Sequence, residues 1–433
     1  MFRCLYASHR LCFKHLAWRS GITVHAYPRS QNFTQLRSLA SHASAVQKPP
    51  ITGFTALDER QKIEEERFGN YVAECFYPVH IGEIFQSRYQ VITKLGYGAT
   101  STVWLCRDLQ EHRYLTLKVN VRSKGPNPEI ELTNYMKSIE DIHGGEGHVR
   151  RVLDSFSIDG THGTHCCILY EPTGIDLSDF IHRLEGGALP QIMLRPAVRY
   201  ILIALDYIHQ LGIIHTDIQP NNILLGIDDQ SVLLQLEQDE LERPVSRKQT
   251  PSRTIYLTRE MPITKGFPIL SDMGEARRAE TKQRGLIQPS IYRAPEVMLD
   301  MEWDNKVDIW GLAQTIWTIF EQRHLFDNIN PMGELDHGRR FAEMISLMGP
   351  PPLEFLKRSE KSLKYWDENG NWKLSHLYPI PKQSLESREI QLNGDEKKQF
   401  LEFMRKMLQW MPEDRADAQH LLFEDPWVRG GDY

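Results

Sequence analysis

Residues 89–121 place the strongest constraint on the fold. In YQVITKLGYGATSTVWLCRD, Val91, Thr93 and Leu95 alternate with polar neighbours. Val103 and Leu105 do the same beyond a Gly-rich turn. Alternation on both sides of a turn predicts two strands joined as a hairpin. A dinucleotide-binding G-x-G-x-x-G runs from a strand into a helix, whereas this one runs from strand to strand. With Gly96 and Gly98 at its tip, the hairpin can lay backbone N–H groups over phosphates, because glycine lets a backbone approach closely. Ser101 stands where a third Gly might. The next strand, YLTLKVNV, puts Leu115, Leu117, Val119 and Val121 on one face and Lys118 on the other. A Lys inside a sheet needs a partner, since burying an unpaired charge is costly. Phosphate and a helix carboxylate would serve. Residues 129–140 read as a helix that could supply the carboxylate. Glu129 and Glu131, two apart, cannot both face the sheet, and Glu129 is preferred.

HCCILYEP then reads as a strand ending in a linker, and helical spacing takes over. Val198, Ile201, Leu202, Leu205 and Ile208 share one face of a helix over 198–209 that Gly212 ends. Residues 307–320 are apolar nearly all round, which predicts a buried helix. Phe400, Phe403, Met404, Met407 and Leu408 mark another over 400–408. The chain thus divides at about residue 171 into a strand-rich and a helix-rich part, an α+β, two-lobed organisation. No apolar run approaches the roughly 18 residues that a spanning helix needs. The six Cys (4, 12, 75, 106, 166 and 167) show no C-x-x-C spacing, which argues against a disulfide framework or a structural zinc site. Cys166 and Cys167, neighbours on a strand, are expected on opposite faces as free core thiols.

Charge is unevenly spread. The chain has 51 Lys and Arg against 57 Asp and Glu. Seven of the bases and none of the acids fall in residues 1–57, so residues 58–433 hold 44 against 57, a net −13. The first 57 residues, basic and Ser-bearing, read either as a mitochondrial transit peptide or as a disordered basic tail, and both readings leave them outside the fold. Residues 58–68 read as a short charged helix, within a leader over 58–88. An acidic body repels nucleic acid and favours basic partners.

Two later segments carry oxygen ligands. IIHTDIQPNNILL holds Asp217 and Asn222 five apart around Pro220, hence on a loop. ILSDMGEAR puts Asp272 after an apolar strand and before Gly274. Phosphoryl transfer uses magnesium, which prefers hard oxygen ligands, and a carboxylate that orients the attacking hydroxyl. Asp217 as base, with Asn222 and Asp272 as metal ligands, meets those needs.

With H-x-D-x-x-x-x-N at 215–222, D-M-G at 272–274, A-P-E at 294–296, D-x-W at 308–310 and P-E-D-R at 412–415, the ordered set resembles a eukaryotic protein kinase over 89–428. The finer resemblance is to the SR-protein kinases, especially their fungal branch, through LGYGATSTVWLCRD, HTDIQPNNILL, YRAPEVML, SLMGPPP and DENGNW. It implies a bilobal fold, with a β-rich lobe over 89–171 bearing one main helix and a helical lobe over 172–428. The insert near 226–268, short for that family, reads as a charged surface loop.

The resemblance implies ATP and Mg2+ as cofactors. Leu95, Gly96, Tyr97, Gly98, Ala99, Thr100, Ser101, Thr102 and Val103 would cover the nucleotide, and Lys118, oriented by Glu129, would hold its phosphates. Asp217 would accept the proton of a substrate serine. Asn222 and Asp272 would bind the metal, and Glu296 and Arg415 would form a structural ion pair. His215 reads as a packed structural residue. Basic Arg/Ser-rich proteins are the implied substrates of a monomer in cytoplasm or nucleus, an address that conflicts with a transit peptide.

Three departures stand out. Gln219 replaces the Lys that contacts the γ-phosphate in the family, Met273 replaces Phe or Leu, and Ala313 stands where Gly is common. Thr216 is typical of the SR-protein kinases; most switched kinases have there an Arg that pairs with an activation-loop phosphate, so Thr216 implies activity without loop phosphorylation. Two other classes remain open: a nucleotide-binding pseudokinase, which Gln219 favours, and a small-molecule phosphotransferase, which A-P-E and Arg415 oppose.

Overall fold

The computed structural model describes residues 46–430, apart from 123–124, 140–142, 280 and 327–335. Residues 1–45, most of the basic N-terminal segment 1–57, lie outside the described residues. Strands β1 (Ile84–Phe85), β2 (Tyr89–Tyr97), β3 (Ser101–Asp108), β4 (Arg113–Asn120), β5 (Asp154–Gly160) and β6 (Gly163–Tyr170) form one antiparallel sheet. Its order is β1-β2-β3-β4-β6-β5. Helix α1 (Pro128–Lys137) starts where the Asn127 side chain accepts from the Glu129 N–H and Pro128 fills the first position. It stops three residues short of the spacing-based limit.

Beyond the linker come α2 (Leu177–His182), α3 (Gln191–Gln210), α4 (Ser231–Glu242), α5 (Pro295–Met298), α6 (Lys306–Glu321), α7 (His337–Met348) and α8 (Gly394–Met407). Helix α3 runs one turn and more ahead of the expected 198–209, and Gly212 follows it at φ +67°. Helix α6 is buried nearly all round, as its composition predicts, and Trp310 and Trp317 are wholly enclosed. These rings pack with Leu202, Leu205, Phe400 and Met404 in the main core, where each such side chain contributes roughly 1.5–3 kcal/mol by burial. Short two-stranded ladders complete this lobe: β7 (Ile213–Ile214) with β12 (Arg277–Arg278), β8 (Ile223–Leu225) with β11 (Pro268–Leu270), and β9 (Arg247–Gln249) with β10 (Thr254–Tyr256). Among the described residues no helix is long and apolar enough to cross a membrane.

Three expectations change. Residues 58–68 form only a 3-10 turn at Glu64–Arg67, and Glu64 and Glu65 are buried against Lys94 rather than solvated. Residues 46–57 belong to the folded body. Gln47 exchanges two hydrogen bonds with the Gln90 side chain, and Leu57 N–H donates to the Arg247 carbonyl. The insert is not a surface loop. It folds as α4 and the β9–β10 hairpin, with Leu233 and Leu236 in the main core. The sheet explains both additions. Its face opposite Lys118 bears Val91, Trp104, Cys106, Leu115, Leu117 and Val119, and an apolar face must be covered. Val79, Ile81 and Phe85 from the leader and Tyr256 from the insert cover it. Of the adjacent thiols, Cys167 lies in that layer, while Cys166 is only half-buried.

Candidate active site

The Gly-rich hairpin forms between β2 and β3, with Gly96 opposite Val103 and Tyr97 opposite Thr102. Gly98 N–H donates to the Ser101 carbonyl at 2.8 Å and closes the tip around Ala99 and Thr100. A Cβ built on Gly96 would meet no atom within 4 Å, so the glycine leaves open room beside the backbone. Leu95 and Val103 flank this space, half-buried. Two residues of the hairpin point elsewhere. The Thr102 hydroxyl accepts from Trp104 Nε1 at 2.9 Å, and the Tyr97 ring meets Phe68.

Lys118 sits on β4 opposite Val103, so both side chains share the face toward the helical lobe. Its Nζ lies 2.5 Å from Glu129 Oε1 and 3.3 Å from Asp272 Oδ1. Glu129 is thus the helix carboxylate, and its other oxygen accepts from the Tyr170 hydroxyl. Burial alone would push the Lys118 ammonium down, but Glu129 and Asp272 carry it above its ordinary value. Burial likewise pushes Asp272 up, and Lys118 and His215 overcome it, holding the carboxyl below the usual range. Asp272 occupies left-handed backbone, φ +61° and ψ +71°, uncommon outside glycine. Its side chain remains half exposed to the cleft.

The ladder of β8 and β11 pairs Ile223 with Leu270. Asn222 and Asp272 therefore come to the same end of one ladder, and Ser271 N–H donates to the Asn222 carbonyl at 2.8 Å. Asn222 Nδ2 donates to Asp217 Oδ2 at 2.7 Å and to the Asp217 carbonyl at 2.9 Å. Gln219 Nε2 donates to Asp217 Oδ1 at 2.8 Å. Each carboxylate oxygen of Asp217 thus accepts one amide hydrogen. Burial raises the Asp217 pKa against the opposing pull of His215, Asn222 and Gln219. His215 is fully buried; its Nδ1 accepts from Asp217 N–H at 3.2 Å, which leaves Nε2 to donate to the Ser271 carbonyl at 3.0 Å.

Sequence reading assigned no role to Asp308, which organises this loop. Fully buried, it accepts from His215 N–H at 2.7 Å and Thr216 N–H at 2.8 Å, and it lies 2.9 Å from His209 Nε2. These bonds fix Thr216 at φ +66°. The available signal was an acid inside the apolar run 307–320, since a buried carboxylate must be hydrogen-bonded. Tyr170 gave no such signal.

The family model of the protein kinase domain matches residues 89–428. The chain belongs to the protein kinase family. A serine/threonine protein kinase of Aspergillus fumigatus is 43% identical over 403 residues, spanning 92% of this chain and 98% of that one. The serine/threonine-protein kinase SRPK of Physarum polycephalum is 31% identical over 400 residues, spanning 84% and 91%. A crystal structure of a kinase domain superposes with a TM-score of 0.63 at 22% identity, over 82% of this chain and 99% of that one, a likeness of fold. With these relatives, the chain is an ATP-dependent serine/threonine protein kinase of mixed α and β structure. In this kinase the A-P-E glutamate, Glu296, meets Arg415 through two bonds of 2.6 and 2.7 Å, both side chains sealed from water. Arg415 also lies 5.0 Å from the centroid of the Trp310 ring.

Proposed function

We propose that this kinase transfers the γ-phosphoryl group of ATP to serine hydroxyls in basic, Arg/Ser-rich protein segments, with Asp217 as the base. The observation that carries the reading is the Asp217 carboxylate, fixed by Gln219 and Asn222 beside the group Lys118, Glu129 and Asp272. The residues fit a magnesium nucleotide. Open room at Gly96 suits a phosphate, the half-exposed Asp272 carboxylate suits a hard cation, and Asn222 uses its amide hydrogens on Asp217 while its carbonyl oxygen can ligate.

In this reading residues 95–103 cover the nucleotide and Lys118 holds its phosphates, steered by Glu129. Asn222 and Asp272 hold magnesium, which when bound neutralises charge on the phosphate oxygens. Asp217 orients the serine hydroxyl and takes its proton as the serine oxygen bonds to phosphorus and the β–γ bridging oxygen leaves with ADP. Gln219 supplies a hydrogen bond to the base and no charge to the phosphate. Acidity of the body favours basic peptides, and the name of the Physarum relative points the same way.

The test is magnesium-dependent transfer of labelled γ-phosphate to an Arg/Ser-rich peptide by the full chain and by Asp217→Ala. Transfer by the wild type, lost by at least about a thousandfold in the variant, is the expected result. Nucleotide binding without transfer to any basic substrate would replace this reading with a pseudokinase, the alternative that the neutral Gln219 favours.

A further inference from the structure

The strand that enters the Gly-rich hairpin carries a buried cation one residue before the motif. Lys94 is almost wholly enclosed, and it pairs across β2 and β3 with Trp104 on the face away from the catalytic loop. Its Nζ lies 2.5 Å from Glu65 Oε2, 3.4 Å from Glu64 Oε2 and 3.2 Å from the Tyr256 carbonyl. It also sits 5.2 Å from the centroid of the Tyr97 ring, the aromatic residue between the two glycines. Phe68, immediately after the Glu64–Arg67 turn, meets the same ring edge-on at 5.9 Å. Leader, insert and Gly-rich hairpin thus converge on one ammonium group.

Each acid of the turn is committed. Glu64 accepts from the Thr258 hydroxyl at 2.7 Å, and Glu66 accepts from Lys248 Nζ at 2.5 and 2.6 Å. Arg259 N–H donates to the Lys94 carbonyl at 2.8 Å and ties the insert to the same residue. The insert is anchored in turn in the helical lobe. It leaves from β8 next to Asn222 and returns through β11 next to Asp272. On the opposite face of the sheet its helix α4 sends Glu237 to Arg107 and Tyr114, and Glu240 to the Thr93 hydroxyl at 2.8 Å and to Arg259 at 2.7 Å. The Gly-rich hairpin is therefore held from outside by segments continuous with the residues that face it across the cleft. A hairpin free at its tip would move with its glycines; this one has its central aromatic and its entry strand fastened.

We infer that Glu65 and Phe68, upstream of the kinase domain proper, are positioning residues for ATP, acting through Lys94 and Tyr97 to hold the Gly-rich loop at its working height over the phosphates. This rests on the kinase reading of the site. The experiment therefore reads nucleotide binding directly, with no peptide substrate. A fluorescent adenine nucleotide with magnesium is titrated into the full chain carrying Phe68→Ala, Phe68→Tyr or Glu65→Gln, and each variant is melted alongside. Phe68→Ala is expected to weaken nucleotide binding by about fivefold, the loss of one aromatic contact and the order it imposes on Tyr97. Glu65→Gln should weaken it by about as much or more, and Phe68→Tyr should restore it. In peptide assays the KM for ATP should rise while the KM for peptide stays unchanged.

A merely structural role would lower the melting temperature and leave nucleotide affinity intact, and that result overturns the inference. Phe68 is a third exposed, so its truncation spares the core and decides the matter even if Glu65→Gln fails to fold. If wild-type chain bound nucleotide but transferred nothing to Arg/Ser-rich peptide, the substrate reading would fall and the affinity comparison would still decide this one.

Discussion

Glu296 and Glu129 are both buried beside a cation, but their surroundings differ. Glu296 spends both oxygens on Arg415, which also donates to the Gln409 and Lys306 carbonyls. No water reaches the pair. Glu129 divides its oxygens between Lys118 and Tyr170, while Lys118 reaches on to an Asp272 that is half open to the cleft. The first arrangement is closed, and so can only hold. The second keeps an acid and a cation with spare capacity, which suits the uptake of phosphate and metal proposed above. The same residue chemistry thus serves rigidity in one lobe and, in the proposed function, ligand capture between the lobes.

Breaking the closed pair should have the largest effect. Glu296→Gln leaves a buried guanidinium without its charge partner, a loss of about 3–5 kcal/mol of stability. Lys118→Met should do the reverse. Asp272 is half open to water and Glu129 keeps its bond from the Tyr170 hydroxyl, so unfolding in urea shifts less than for Glu296→Gln, while transfer falls by roughly a hundred- to a thousandfold. Urea midpoints and transfer rates for both variants make the check. If Lys118→Met costs as much stability as Glu296→Gln, the open site is structural too and the contrast dissolves.

How far the sequence reached follows from the same difference. Lys118 was legible as a cation inside a sheet that needs a partner, Glu129 as the helix carboxylate that could supply one, and Asp217, Asn222 and Asp272 as oxygen ligands beside Pro220 and Gly274. Their convergence was legible only through spacing that matched a known family. The brace on the sheet was not. The stripe Leu115, Leu117 and Val119 announces a face that needs a cover, but periodicity says nothing about which distant segment provides it. Glu237 and Glu240 look like solvated charges in a run of acids, and only the approach of Arg107 and Arg259 turns them into buried partners. Long-range ion pairing leaves no trace in local spacing, so the insert read as a surface loop and residues 58–68 as a charged helix.

A third carboxylate offers a smaller test on the linker between the lobes. Asp176 caps α2 by accepting from Asp179 N–H, and burial pushes its pKa up to about 6. A folded value above the unfolded one, near 3.9, means the folded state binds more protons between the two. Stability should therefore fall as pH rises from about 4 to 6, and stay lower above that window. Asp176→Asn keeps a good capping side chain without a charge to bury. It should raise stability at pH 7.5 by on the order of 1 kcal/mol, after allowance for solvent screening, and flatten the acid side of the profile. Melting curves from pH 4 to 8 would show whether the two proteins converge at the acid end, as this account demands.

Within the open site, Gln219→Lys probes the missing charge. A charge-assisted bond is about twice as strong as a neutral one, so the variant should turn over about fivefold faster with the peptide KM unchanged. Equal rates would mean that the amide donated to Asp217 already does what the lysine does elsewhere in the family.

The smallest expected effect is none. Phosphate-switched kinases order the segment between Asp272 and Glu296 by adding a charge for an arginine to grip. Here Thr216 occupies that position, and its hydroxyl donates to the Glu275 carbonyl at 2.8 Å. Residues 288–294, toward the end of the segment, are held largely through their backbone. Gln288 accepts from Ala294 N–H and donates to the Val307 carbonyl, and Gln314 donates to the Tyr292 carbonyl, at 2.8–2.9 Å. Arg340, fully buried, donates to the carbonyls of Ile291 and Arg293 at 2.8 and 3.1 Å. Two amides and one guanidinium already buried in the lobe hold this stretch without an added phosphate. Treating the purified kinase with a phosphatase should accordingly leave its rate within about twofold. A tenfold loss would mean that a phosphate, gripped by some other cation, holds the segment after all, and that this lobe is switched rather than locked.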